Sequence, residues 1–132
     1  MQPIPDTVTL AALPDGLAVR MIDQTLLPNC EQIIDLTTIP DLCEAIRMLR
    51  VRGAPAIGCA AACGVAMAAG RSGAGTLPAL QAELGQVIDD LAATRPTAVN
   101  LFWALERMRG IVAAGSDAAA LKQSLEAEAR AI

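Results

Sequence analysis

"VRGAPAIGCAAACGVAMAAG", residues 51–70, is the stretch on which the fold turns. Proline is tolerated in the first turn of a helix but not in its interior, so Pro55 predicts a helix opening just after Gly53 and running to about Ala69. The segment is apolar on every face and consists mostly of Ala and Gly. A helix of that kind is enclosed either by lipid or by its own protein. From Ala54 to Gly70 it is short and weakly hydrophobic for a bilayer. It reads as a buried helix, and an Ala-rich core suits closely packed helices.

Further elements are legible on both sides of it. Upstream, "TVTLAAL" and "LAVRMID" flank "PDG", whose Asp15-Gly16 step signals a tight hairpin turn, and "CEQIIDLTT" (30–38) supplies a third strand. Pro40, with Asp41 and Glu44 near the positive end, opens a helix whose apolar stripe is Leu42, Ala45, Ile46 and Leu49. Downstream, "GRSGAG" (70–75) is a turn, and residues 76–93 form a helix with Leu77, Leu80, Leu84, Val87, Ile88 and Leu91 at helical spacing. Pro96 opens the next, capped by Thr94 or Thr97. Its core stripe is expected to be Ala98, Leu101, Phe102, Leu105, Met108 and Val112, with Trp103 turned toward the strands or another domain. Ser116 is the expected N-cap of a last helix carrying Leu121, Leu125 and Ile132. The expected fold is α+β: an antiparallel meander of about three strands in residues 1–38, then a bundle of four to five helices in residues 39–132 of the same domain.

Composition narrows the function. Hydrophobic residues make up 54% of the chain and charged residues 18%, which excludes disorder. A net charge of −4 without a basic tail argues against nucleic acid as a partner. The absence of histidine removes Ser-His and Cys-His nucleophile pairs, an imidazole base and every His-containing metal site. Cys30, Cys43, Cys59 and Cys63 form no CxxC pair. Cys59 and Cys63 share a helical face, but no second pair completes a tetrahedral site. No metal and no cofactor are expected, and the cysteines read as buried thiols of a reducing compartment. "MQPIPDTVTL" has neither a basic n-region nor an apolar h-region, so a cytoplasmic protein without membrane contact is expected. The last helix reaches Ile132 with no Gly, Asn or Pro to end it, the pattern expected of a piece of a longer protein.

Three stretches can carry chemistry. In "VRGAPAIG" the amides around Gly53, Ala54 and Ala56 would stand at a helix N-terminus, which favours anions, and Arg52 could fork onto a phosphate. A helix–helix turn with a solvated arginine is the plainer alternative. "TRPTAVN" repeats the arrangement: Arg95 would stand at the positive end of the helix it precedes, unfavourable unless an anion compensates. The two arginines could converge on one phosphate or be unrelated surface groups. In "DQTLLP" (23–28), Asp23 could hold a sugar hydroxyl, though fixing its own loop is the favoured role.

Taken together, "DQTLLP", "MLRVRGAPAIGCAAACGVAMA" and "RPTAVNLFWALERM" closely resemble the N-terminal part of the methylthioribose-1-phosphate isomerase family. That family is grouped with ribose-1,5-bisphosphate isomerases and the regulatory α, β and δ subunits of translation initiation factor 2B. The resemblance covers essentially the whole chain, in order. It implies aldose–ketose isomerisation of 5-methylthioribose 1-phosphate in methionine salvage, without cofactor or metal, by a cytoplasmic protein that is a homodimer at full length. It also implies that Arg52, Gly53, Ala54 and Arg95 bind the substrate. The family's catalytic cysteine and aspartate lie in a further C-terminal α/β domain, so no residue here, neither its four cysteines nor Asp23, inherits a catalytic role. Ribose-1,5-bisphosphate isomerisation and a non-catalytic, initiation-factor-like binding module are the alternatives.

Overall fold

The computed structural model describes residues 8–22, 33–47, 54–95 and 99–131, with 22, 33 and 54–56 as backbone alone. Three strands come first: β1 (Val8–Leu13), β2 (Gly16–Ile22) and β3 (Ile33–Leu36) form an antiparallel sheet in the order β1-β2-β3. Five helices follow: α1 (Ile39–Arg47), α2 (Ala54–Arg71), α3 (Leu77–Thr94), α4 (Val99–Ala113) and α5 (Ala118–Ala131). The α+β reading therefore holds.

The hairpin turn is set one residue earlier than the sequence suggested. Leu13 pairs with Gly16, so Pro14 and Asp15 make the turn and Gly16 opens β2 with φ +142°. That conformation is closed to side chains, which is why glycine stands there. Arg71, in the last turn of α2, ties this turn down: its Nε donates to the Leu17 carbonyl at 2.6 Å and its other nitrogens reach Asp15 at 3.4 Å.

On the inner face of the sheet Val8, Leu10, Val19 and Met21 are buried, joined to the same core as α2. On the outer face Arg20 and Asp35 are register partners and pair through two bonds of 2.8 and 3.1 Å. The Arg20 hydrogen bond, more than its charge, holds the Asp35 carboxyl below its ordinary value. A depressed carboxyl stabilises the fold above the unfolded value of about 3.9, and that part is lost as pH falls through the lower folded value. Asp35→Asn should therefore flatten the fall in urea midpoint between about pH 6 and about pH 3. An unchanged slope would show that the pair contributes nothing.

The central placement of α2 explains its lack of polarity. β1, β2, α1, α3, α4 and α5 all pack on it, and from Ile57 to Ala69 most of its side chains are buried. None of the described helices is long and apolar enough to cross a membrane. Close packing is concentrated at glycines. A Cβ built on Gly64 would stand 2.3 Å from a Leu42 methyl of α1, and one on Gly58 would stand 2.9 Å from the Asn100 carbonyl of α4. The second obstacle is backbone and cannot rotate away. Gly58→Ala should thus lower stability by about 1–3 kcal/mol despite alanine's higher helix propensity. Gly85→Ala, with nothing near its Cβ, should raise it by about 0.5–1 kcal/mol. Opposite shifts in urea midpoint are the expected outcome; a gain at Gly58 would mean that α2 and α4 are farther apart.

Helix starts follow local chemistry, with two departures from expectation. Thr38 and Thr76 accept from Asp41 N and Ala79 N, capping α1 and α3. The cap of α5 is Asp117, which accepts from Ala120 N at 2.8 Å, and not Ser116. The carboxylate satisfies the donor and complements the helix dipole, which a hydroxyl does only in part. Thr94 does not cap α4. It is the last residue of α3, and its hydroxyl donates to the Leu91 carbonyl at 2.6 Å. The other candidate cap, Thr97, lies outside the described residues.

Candidate functional site

Arg52, Gly53 and Asp23 lie outside the described residues. Of the expected substrate contacts the structure describes Ala54, as the first residue of α2, and Arg95. The local sequence explains both positions. Pro55 starts α2 where its missing N–H costs nothing, and α3 runs one residue past its expected end and stops at Thr94.

Arg95 is therefore the C-terminal cap of α3, half-buried, with φ −147° and ψ 77°. Its relation to the start of α4 runs through residues 96–98, outside the described residues. Arg95 stands at the carbonyl end of α3, where a cation is stabilised by about 0.3–1 kcal/mol.

The two motif-bearing helices meet near their beginnings. Gly58 is one turn into α2, Asn100 is in the first turn of α4, and their backbones touch there because Gly58 has no side chain. Leu101, Ala104, Leu105, Met108 and Val112 of α4 are buried. Neither α2 nor α4 carries an acidic residue in its first turn, so no carboxylate there opposes an anion. The first four amides of a helix have no intrahelical acceptor, the usual basis for anion binding at a helix start.

The outer face of α4 departs from expectation. Phe102 is 62% exposed rather than core, and Val99 and Trp103 beside it are 77% and 54% exposed. The core stripe is centred on Leu101, Leu105, Met108 and Val112. Phe102 is rotated about 100° from Leu101 and falls outside it. Trp103 does not face the strands; Arg107 covers its ring at 5.3 Å and pairs with Glu128 of α5.

No group of three or more potential metal ligands occurs among the described residues. Cys43, Cys59 and Cys63 are not in disulfides. Burial pushes the Cys43 thiol up, and the thiol donates to the Asp90 carbonyl at 3.8 Å. Two cavities, of about 270 and 340 Å³, lie beside α5, and neither is lined by Ala54, Arg95 or Asn100.

Residues 50–132 match the initiation factor 2 subunit family, IF-2B. A 5-deoxyribose 1-phosphate isomerase of Moorella thermoacetica is 52% identical over 116 residues, covering 86% of this chain and 33% of that protein. A methylthioribose-1-phosphate isomerase of Symbiobacterium thermophilum is 46% identical over 132 residues, covering 98% of this chain and 37% of the other. The crystal structure of 5-methylthioribose 1-phosphate isomerase from Pyrococcus horikoshii superposes with a TM-score of 0.87 at 36% identity, over 97% of this chain and 35% of that one. The chain thus spans about a third of the length of these relatives.

Proposed function

The chain belongs to the initiation factor 2 subunit family, and from that premise we propose that it is the phosphate-gripping N-terminal part of an aldose–ketose isomerase. The substrate of the whole enzyme is 5-methylthioribose 1-phosphate and the product 5-methylthioribulose 1-phosphate, a step of methionine salvage in the cytoplasm, carried out by a homodimer. The observation that carries this reading is the approach of α2 and α4 at Gly58 and Asn100. It brings the helix that follows Arg52-Gly53-Ala54 against the helix that follows Arg95. The names of the relatives support the reaction class.

Phosphate on the anomeric carbon blocks easy ring opening, so the enzyme must open the ring and then move hydrogen between C1 and C2. This domain contributes position: two guanidinium groups and unsatisfied helix amides fix the phosphate, and the apolar helices form one wall of a site that excludes water. The acid and base work belongs to the further domain implied by the family resemblance.

The Moorella relative favours a second substrate, 5-deoxyribose 1-phosphate, which lacks the methylthio group at C5. Assaying the full-length protein on both sugars and on ribose 1,5-bisphosphate separates the readings. The largest kcat/KM is expected on methylthioribose 1-phosphate. A preference for the bisphosphate, or phosphate-ester binding with no turnover on any of the three, would replace the proposal. The 132-residue chain alone should show no turnover.

A further inference from the structure

Cys59 and Cys63 have no part in the proposed reaction, yet they are arranged as a pair. They stand one turn apart on α2, and both line the cavity of about 270 Å³ bounded by Val8 and Leu10 of β1 and Arg130 of α5. Cys63 is buried and Cys59 half-buried. The Cys59 thiol donates to the Val8 carbonyl at 4.0 Å.

Helical spacing limits what such a pair can do. Side chains four apart on a helix have Cβ atoms about 5–6 Å apart, whereas a disulfide needs roughly 3.5–4.5 Å. Closing an S–S bond would unwind α2 at its most enclosed point. A single bridging ion, with sulfur bonds near about 2.3 Å each, spans the gap without moving the backbone. Among the described residues no third potential ligand joins the pair, which disfavours four-coordinate zinc. Soft thiolate donors select Cu(I), an ion satisfied by two sulfurs.

We propose that Cys59 and Cys63 form a two-coordinate site for Cu(I) in this cavity. On binding, each thiol releases its proton to solvent, two S–Cu bonds form, and copper remains Cu(I), so no electron is transferred. The resulting bis-thiolate complex carries one negative charge. Arg130 supplies the compensating positive one: it is held in the cavity wall by a 3.1 Å bond to the Leu10 carbonyl and lies 3.6 Å from Glu126.

The test is titration of the 132-residue chain, kept reduced, with Cu(I) held by a coloured chelator. One ion per chain is expected to transfer, and the Cys30→Ser/Cys43→Ser variant should behave alike. Cys59→Ser should weaken binding by more than the roughly 10- to 100-fold that loss of an outer-shell partner costs a metal site. Cys59 is half-buried, so this variant is expected to keep its circular dichroism. If it does not, copper-edge X-ray absorption of the parent decides, with two sulfur neighbours expected. Retention of copper by the chelator, undiminished binding in Cys59→Ser, loss of the ion in the Cys30/Cys43 variant, or a third or fourth ligand in the absorption spectrum would each overturn the site.

Discussion

Replacing Arg52 or Arg95 with alanine in the full-length enzyme is expected to lower kcat/KM by about tenfold to a thousandfold. A charged hydrogen bond to phosphate contributes about 1.5–3 kcal/mol, and a forked pair more. If both arginines hold the same phosphate, the double variant should lose less than the product of the two single losses, because a phosphate already loosened has less left to lose. Lysine at either position restores the charge but not the fork, so partial recovery is expected. Stability is the control. Arg95 caps α3 from outside its last turn, and its removal should cost no more than about 1 kcal/mol in the urea midpoint. Near-normal kinetics in both single variants would remove the phosphate clamp and with it the proposed role of this domain.

The second large effect separates the two faces of α4. Leu105 and Met108 are almost completely buried, and truncating either to alanine should cost about 2–5 kcal/mol through lost transfer energy and the cavity left behind. That is a large part of the 5–15 kcal/mol by which a domain of this kind is typically stable. Phe102→Ala in the 132-residue chain should change stability by about 0.5 kcal/mol or less, because the ring is mostly in water already. Equilibrium urea unfolding of the three variants decides. Equal losses at Phe102 and Leu105 would mean that the helix is rotated from the orientation described.

Both predictions show which parts of the molecule could be read from the chain directly. The strand and helix order was legible because its signals are local: the Asp15-Gly16 turn signal between β1 and β2, helical spacing in α3, and prolines at the first turns of α1 and α2. The proposed anion site at Arg-Gly-Ala-Pro and Arg-Pro-Thr starts from the same local signals, a guanidinium beside the start of a helix. Asp117 replacing Ser116 as the cap of α5 is a one-residue error between two adequate acceptors. Such choices turn on backbone geometry that composition does not encode.

The sequence by itself determined that α2 is enclosed, because a helix apolar along its length has no face to offer to water, and it placed the starts of α1, α2 and α3 to within a residue. Only the tertiary structure decided which side of α4 faces the core. Phe102 and Leu105 are equally hydrophobic, and the placement of α2, α3 and α5 around the helix selects Leu105. Tertiary structure also set Arg95 at the carbonyl end of α3, and it brought α2 and α4 into backbone contact at Gly58. Periodicity identifies a stripe, but burial is a property of the neighbours that close over it, and those neighbours come from distant parts of the chain.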